Sequence, residues 1–259
     1  MRIKYILSND RRCKEFNNLI RKKYPEFIKE TNPDLILVSG GDGALLHAIQ
    51  NYNHLQVPFL GRSAGTLNFL MNKFDDSTQI IDDLVNNKLK LNYLKTRGIK
   101  VVLEDQAGEK QTLGMAVNDV VLGSSIMSYY RFNLNTEDFS FRNFKLNGTG
   151  ICISAELGST AYNFNLGGPV IPLESDLWTV VGIATDKYLS DILKSQKMVV
   201  ECVQEDIFFV FIDGIKVKKR LSKGDKVILT KGCKVKISFF NKISFLKKRV
   251  ELISRYRKI

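Results

Sequence analysis

The sequence is poor in the residues on which metal and triad chemistries depend. Its four cysteines, Cys13, Cys152, Cys202 and Cys233, lie far apart with no C-x-x-C pair, which excludes a zinc finger and a disulfide scaffold. Only two histidines exist, His47 and His54, in one short segment. No HExxH accompanies them, and Ser-His-Asp catalysis would have to use one of these two histidines of a single segment, so zincin and triad chemistry are both set aside. With 5 prolines and 18 glycines among 259 residues, collagen-like, mucin-like and broadly disordered chains are excluded too. Long apolar runs are also missing. The longest, Ile207 to Ile212, is far short of the ~20 residues a membrane-spanning helix needs. The opening MRIKYILSNDRR has no apolar stretch of signal-peptide length before its charges resume. A cytoplasmic chain with no membrane partner is the expectation.

What is present is a globular composition, 44% hydrophobic and 25% charged, at a length that suits two small domains or one elaborated one. The charge is concentrated. Residues 216–259 hold 16 Lys/Arg against 2 Asp/Glu, a net of +14 in a chain of +12, so the preceding 215 residues sum to −2. A basic tail of this kind suits nucleic acid or anionic lipid. It also suits the solvent face of alternating strands, since Lys-Val-Lys at 216–218 and Lys-Val-Lys-Ile at 234–237 have period two. The strand reading is preferred and nucleic acid is not expected as a partner, although Phe239, Phe240 and Phe245 are the interleaved aromatics that an RNA surface would use.

The first hundred residues alternate strand and helix. Ile3 to Leu7 reads as a strand, and Arg11 to Tyr24 has helical spacing through Phe16, Leu19 and Ile20. Asp34 to Ser39 is a continuous apolar run of the kind buried on both faces of a parallel sheet. It leads into Gly40-Gly41-Asp42-Gly43 and a helical ALLHAIQNY; Val57 to Leu60 is a further strand and Ser77 to Asn87 a helix. This is the signature of a three-layer α/β domain. From about Arg97 the period becomes two. IKVVLE with QTLGMAVNDVVLG, and RFNLN with FSFRNFKLNG, read as hairpins; VVECV, IFFVFIDG, KVILT and VKISFF continue the pattern. The closing KKRVELISRYRKI fits a strand or a helix.

Three segments can carry chemistry. The glycines around Asp42 let phosphate oxygens approach backbone N–H groups at a helix start. An acid there repels phosphate unless it binds Mg²⁺ or takes a proton from an attacking hydroxyl; the plain alternative is Asp42 as helix cap. Asn118-Asp119 interrupts the apolar run MAVNDVVL. One of the two points inward or a bulge sits there, and an amide beside a carboxylate suits a base and a ribose diol. Gly148-Thr149-Gly150 and Gly158-Ser159-Thr160-Ala161-Tyr162-Asn163, followed by Leu166-Gly167-Gly168-Pro169, offer hydroxyls, backbone donors and one ring, or simply a loop. His47 is expected to be exposed or satisfied, and Trp178 and Cys152 to lie in the core.

In this order and spacing, GGDG at 40–43, GRSAGTLNFL at 61–70, GSTAYN at 158–163 and LGGP at 166–169 resemble the NAD kinase family. GGDG alone is shared with diacylglycerol kinases, sphingosine kinases and phosphofructokinases. The resemblance implies an α/β domain over residues 1–97, rejoined by about 240–259, and a mainly β domain over 98–239. It implies phosphorylation of the adenosine-ribose 2′-hydroxyl of NAD, with ATP or polyphosphate as donor. Asp42 would be the catalytic carboxylate, and Gly41 and Gly43 would leave room for phosphates. Phe69 would line the dinucleotide pocket, Asn118 would contact the adenine end and Asp119 the ribose. Thr160, Ala161 and Tyr162 would hold the bases. Mg²⁺ would bind mainly through donor phosphates, and a homodimer or homotetramer is expected.

Three positions depart from the family pattern. Asp119 stands where the family has Glu. Gly148-Thr149-Gly150 stands where it has a GDG turn, putting Thr149 at a substrate-contacting acid, so Thr149→Asp is expected to tighten NAD binding. Ala155-Glu156 stands where it has Thr-Pro. Two alternatives therefore accompany the NAD kinase reading. One is a kinase of another nucleotide or a lipid hydroxyl. The other is a kinase-fold protein that holds a nucleotide or RNA without turnover.

Overall fold

The computed structural model spans residues 1–259 and describes all of them except 66–67, 75–77, 124–127, 139, 195–196, 204–208, 219 and 257–259; at 202, 252, 255 and 256 only the backbone is described. In chain order the elements begin with β1 (Ile3–Ile6), α1 (Lys14–Lys23), α2 (Glu26–Lys29), β2 (Leu35–Gly40), α3 (Asp42–Tyr52), β3 (Phe59–Ser63) and α4 (Thr78–Val85). Strands β4 (Asn92–Glu104), β5 (Lys110–Ala116), β6 (Asp119–Gly123), β7 (Tyr130–Thr136) and β8 (Phe144–Ser154) lead to the short helix α5 (Tyr162–Asn165). Then come β9 (Leu177–Thr185), β10 (Ser190–Lys194), β11 (Lys197–Cys202), β12 (Phe209–Ile212), β13 (Ile215–Lys216), β14 (Lys226–Phe239) and α6 (Lys242–Tyr256). These residues group into two compact units, Met1–Lys95 with Lys234–Ile259, and Thr96–Cys233. The divisions fall a few residues from the expected 97/98 and 239/240.

The first unit is a parallel sheet. β1 pairs with β2 from Ile3 opposite Leu35, and β2 with β3 from Ile36 opposite Phe59. The end of β14 adds Ile237 and Ser238 alongside Phe59 and Leu60. All six residues of β2 are buried, as its unbroken apolar pattern requires. Helix α1 buries Phe16 and Ile20, and Phe16 meets Tyr5 edge to face at 5.6 Å. The buried Asn72 fastens the returning strand by donating to the carbonyls of Gly61 and Ser238 and accepting from the N–H of Phe240. Arg62, the charged residue of the glycine-rich segment, is buried; its guanidinium lies 4.2 Å from the Phe16 ring centre and donates to Ser39 Oγ. Arg62 is thus engaged in packing.

As far as Tyr256 the closing segment belongs to helix α6, which begins at Lys242. Its Phe245 is buried and stacks on Phe239 at 5.0 Å. Two of the three aromatics that could have served an RNA surface are therefore core residues. Around Lys234–Ile237, lysines are exposed while Val235 and Ile237 are buried, which is the strand-face account of the basic tail.

The second unit is antiparallel apart from short connections. β4 and β5 form the expected hairpin, with Ile99 opposite Ala116, and β7 pairs with β8 from Tyr130 opposite Gly148. The long strand β8 also pairs with β6 and β9, and β11 joins β7 to the start of β14. Its core contains Trp178, Phe132, Tyr130, Leu146 and Ile153, and Cys152 is fully buried. Strands β9 and β10 were not anticipated. KVILT and VKISFF, read as separate runs, are one strand, β14.

Gly148-Thr149-Gly150 is not a turn but lies inside β8. Its glycines permit close strand approach: a Cβ at Gly148 would lie 2.5 Å from Thr185 Cγ2, and one at Gly150 2.6 Å from the Leu122 carbonyl oxygen. Gly and Thr look like loop composition because the pattern omits what packs across them.

Candidate active site residues

In the first unit the acid of the glycine turn is held by backbone. Strand β2 ends at Gly40 with φ +150°, where a Cβ would also sit 2.8 Å from that of Ala44. Gly41 is the N-cap of α3 and offers no side-chain cap. Asp42 is therefore the first helical residue, and the cap alternative does not hold. Its carboxylate turns to a neighbouring loop, where Oδ2 accepts from the N–H of Phe69 at 2.8 Å and Oδ1 from that of Leu70 at 2.9 Å. Lys248 on α6 supports the same loop through the Asn68 carbonyl. Burial raises the pKa of Asp42, opposed by the two N–H groups and by the charge of Lys248. The result is a positioned carboxylate that binds a proton more readily than an ordinary aspartate.

Around Asp42 the packing is open on one side. A Cβ on Gly43 would meet nothing within 4 Å, whereas one on Gly41 would lie 3.0 Å from Asn68 Oδ1. Phe69 lines a cavity of about 290 Å³ with Phe239, Phe240, Phe245 and Lys248. His47 is exposed and within 3.2 Å of Asn51 Nδ2, apart from this arrangement.

In the second unit the strand pattern breaks where Asn118-Asp119 interrupts it. β5 ends at Ala116 and β6 begins at Asp119. The carboxylate of Asp213, in the turn after β12, accepts from three consecutive backbone N–H groups. Those of Val117 and Asp119 lie within 3.1 Å and that of Asn118 at 2.7 Å. Asp119 is buried, and its pKa is pushed up to about 7 by burial first and the Asp213 charge second. Asn118 Oδ1 is buried without a hydrogen-bond partner among the described residues, a position that a ligand donor would satisfy.

GSTAYN folds against this pair. The Ala155 N–H donates to the Asn118 carbonyl at 2.8 Å, and a Cβ on Gly158 would lie 2.0 Å from that same oxygen. Gly158→Ala accordingly forces the backbone apart. Its expected cost is about 3 kcal/mol, the upper end of overpacking penalties, read as a lowered melting temperature. Tyr162 is 42% exposed, and its pKa is raised by burial and by the neighbouring Cys152 and Asp119. Asn163 is fully buried; it donates to the Ser159 and Pro169 carbonyls and accepts from Thr179 Oγ1. A Cβ on Gly168 would strike its side chain at 2.2 Å. The GGP segment thus braces GSTAYN from behind.

The structure brings Asn118 against Gly158 and Asp119 near Tyr162, with Ala161 just before Tyr162 and Thr160 in the preceding turn, its hydroxyl on the Leu157 carbonyl. It does not bring Thr149 to them. Asp119 lies opposite Ser154, five residues further along β8, about 16 Å at strand spacing. The Thr149 hydroxyl donates to the Ile183 carbonyl at 2.9 Å. Thr149→Asp would set a carboxylate against that carbonyl, so the expected result is a destabilised chain with no gain in NAD affinity, measured by calorimetry and thermal melting.

Glu156 has a structural employment. Its buried carboxylate accepts from the N–H groups of Glu174 and Asp176 at 2.8 Å each. Both have positive φ, 59° and 55°, so an acid in place of Pro ties down a strained loop. Asp213 was missed. Its one local signal was the Asp-Gly pair between two apolar runs, a hairpin-turn signature. Among the described residues no group of three or more His, Cys, Asp or Glu could hold a metal ion, and no helix is long and apolar enough to cross a membrane.

Residues 5–89 match the family model of the ATP-NAD kinase N-terminal domain. An NAD kinase of Rickettsia akari is 33% identical over 164 residues, 63% of this chain and 62% of that protein. One of Rickettsia conorii is 30% identical over the same shares. The matched region thus spans less than two thirds of either relative. In three dimensions the fold is shared with yeast NADH kinase complexed with NADH, at TM-score 0.72 and 18% identity over 90% of this chain and 79% of that one. It is also shared with an NAD kinase from Archaeoglobus fulgidus in complex with ATP, at TM-score 0.69 and 18% identity over 98% and 99%. The chain is thus similar to NAD kinases in sequence over part of its length and in fold over most of it.

Proposed function

We propose that the chain transfers the terminal phosphoryl group of ATP to the adenosine-ribose 2′-hydroxyl of NAD, giving NADP and ADP. The observation that carries this reading is the carboxylate of Asp42, held by two backbone N–H groups at the start of a helix with its pKa raised by burial. In the step, Asp42 takes the hydroxyl proton, the ribose oxygen bonds to the γ-phosphorus, and the bond from that phosphorus to the bridging oxygen breaks. Gly43 leaves space beside Asp42 for phosphate oxygens. Asn118 Oδ1 accepts the adenine amino group, the Asp119 carboxylate accepts from the ribose hydroxyls, and Tyr162 with Thr160 and Ala161 faces a base.

Asp42 offers one carboxylate rather than a cage, which fits a divalent ion held chiefly by donor phosphates. When bound, Mg²⁺ would offset the charge on the transferring group. The setting we propose is cytoplasmic, and the assembly a homodimer or homotetramer, read by sedimentation. The test is NADP formation from NAD, ATP and Mg²⁺ on purified protein. The expected turnover lies within the roughly 1–100 s⁻¹ usual for kinases. No NADP with either ATP or polyphosphate would move the fold to another acceptor or to a binding role.

A further inference from the structure

Asp213 and Gly214 form the two-residue loop between β12 and β13, where Ile212 faces Ile215. Their φ angles are +48° and +78°, the left-handed pair that such a tight hairpin demands. This conformation turns the Asp213 carboxylate back over the start of β6, while its own N–H donates to the Asp119 carbonyl at 3.0 Å. Three consecutive N–H groups converging on one point ordinarily make an anion site. Here the anion belongs to the chain.

We propose that Asp213 is a positioning residue for the Asn118–Asp119 pair: it fixes the backbone from Val117 to Asp119 and sets a second negative charge beside the Asp119 carboxylate. Without an acceptor at 213, three N–H groups lose their partner and the segment can relax away from the geometry that presents Asn118 Oδ1. With it, the two acids share one neighbourhood, and ionising Asp119 is opposed. Cys152 on β8 and Tyr162 on α5 also face Asp119, but burial pushes the Cys152 thiol up to about 12 and raises Tyr162 as well. Both stay neutral near pH 7, so Asp213 is the charge that acts. Because an ionised Asp119 is the form that accepts ribose hydroxyls, nucleoside binding should strengthen as pH rises through the Asp119 midpoint. That last step rests on the NAD reading, whereas the clamp does not.

The experiment compares wild type, Asp213→Asn and Asp213→Gly. Asparagine tolerates the left-handed turn and keeps one oxygen for the N–H groups but removes the charge; glycine keeps the turn and removes both. In ligand-free protein, carbon NMR of the Asp119 carboxyl, assigned by its loss in Asp119→Asn, should show a midpoint near 7 that falls by at least roughly 0.5 pH unit in Asp213→Asn. NAD affinity, by calorimetry across pH, should follow the same displacement in Asp213→Asn and fall at least about tenfold at all pH in Asp213→Gly. An unmoved Asp119 midpoint in Asp213→Asn overturns the proposal even if the glycine variant does not fold. A moved midpoint in a protein that binds no NAD at any pH upholds the clamp and overturns the NAD reading instead.

Discussion

In Asp42→Asn, NADP formation falls by roughly 10²–10⁴-fold, the usual worth of a positioned general base, while NAD affinity stays within about twofold. Asparagine is isosteric and leaves the path of α3 unchanged, so the loss is chemical rather than architectural. One backbone contact does change, because the amide nitrogen faces either the Phe69 or the Leu70 N–H where an oxygen had accepted. A fall of a few degrees in melting temperature is therefore expected beside the kinetic loss and is too small to produce it. The pH-rate profile makes a second check. Burial raises the Asp42 pKa, so in wild type the acid limb of kcat lies above the ordinary aspartate range, and turnover is lost as pH falls through it. That limb should vanish from the residual activity of the variant. Equal turnover in the two proteins would remove Asp42 from the mechanism.

Asp119→Asn should stabilise the ligand-free protein at neutral and alkaline pH and leave it unchanged at pH 4. An acid whose folded pKa is about 7 against an ordinary 3.8 is penalised once pH exceeds the unfolded value, because the unfolded chain then ionises it freely and the folded chain does not. The penalty grows up to about pH 7 and is constant above. Its full size is about 4 kcal/mol by linkage, or roughly 10 °C in melting temperature for a chain of this size. Thermal melts at pH 4, 6 and 8 would show the difference between wild type and variant opening in that direction. A constant difference across pH would mean that Asp119 ionises in the folded chain as freely as in the unfolded one. The same substitution should weaken NAD binding, so the position trades stability for recognition.

Elements with a strong local pattern were legible in the sequence. β2 announces itself by six apolar or small residues followed by glycine, and α3 by its apolar spacing. The α6 segment was ambiguous because its apolar residues are interleaved with runs of lysine and arginine, and the burial of Phe245 and Arg249, four positions apart, marks the helical face. β9 was obscured because its WTVVGIAT core follows a Pro- and acid-containing stretch whose conformation depends on Glu156, eighteen residues upstream. The candidate residues show the same division. Asp42 could be singled out from four adjacent letters. What holds it, the N–H groups of Phe69 and Leu70, is backbone and leaves no mark on composition. Asp213 reaches Asn118 from 95 positions away, and no period or spacing connects them.

The first unit is assembled from both ends of the chain, since β3 receives Ile237 and Ser238 from β14, and Lys248 supports the loop that holds Asp42. During synthesis, β1, β2 and β3 are made first and then wait while the 138 residues of Thr96–Cys233 emerge, on the order of ten seconds at ribosomal speed. Throughout that interval the outer edge of β3 lacks its parallel neighbour, which is the kind of unprotected strand on which chaperones act and aggregates begin. A message broken shortly before codon 234 would therefore release a product that keeps every glycine-turn residue yet lacks the strand segment that pairs with β3 and the helix that carries Lys248. Such fragments should be far better substrates for proteolysis than for nucleotide. Quality control at this protein would thus be enforced by the order in which its sheet is completed.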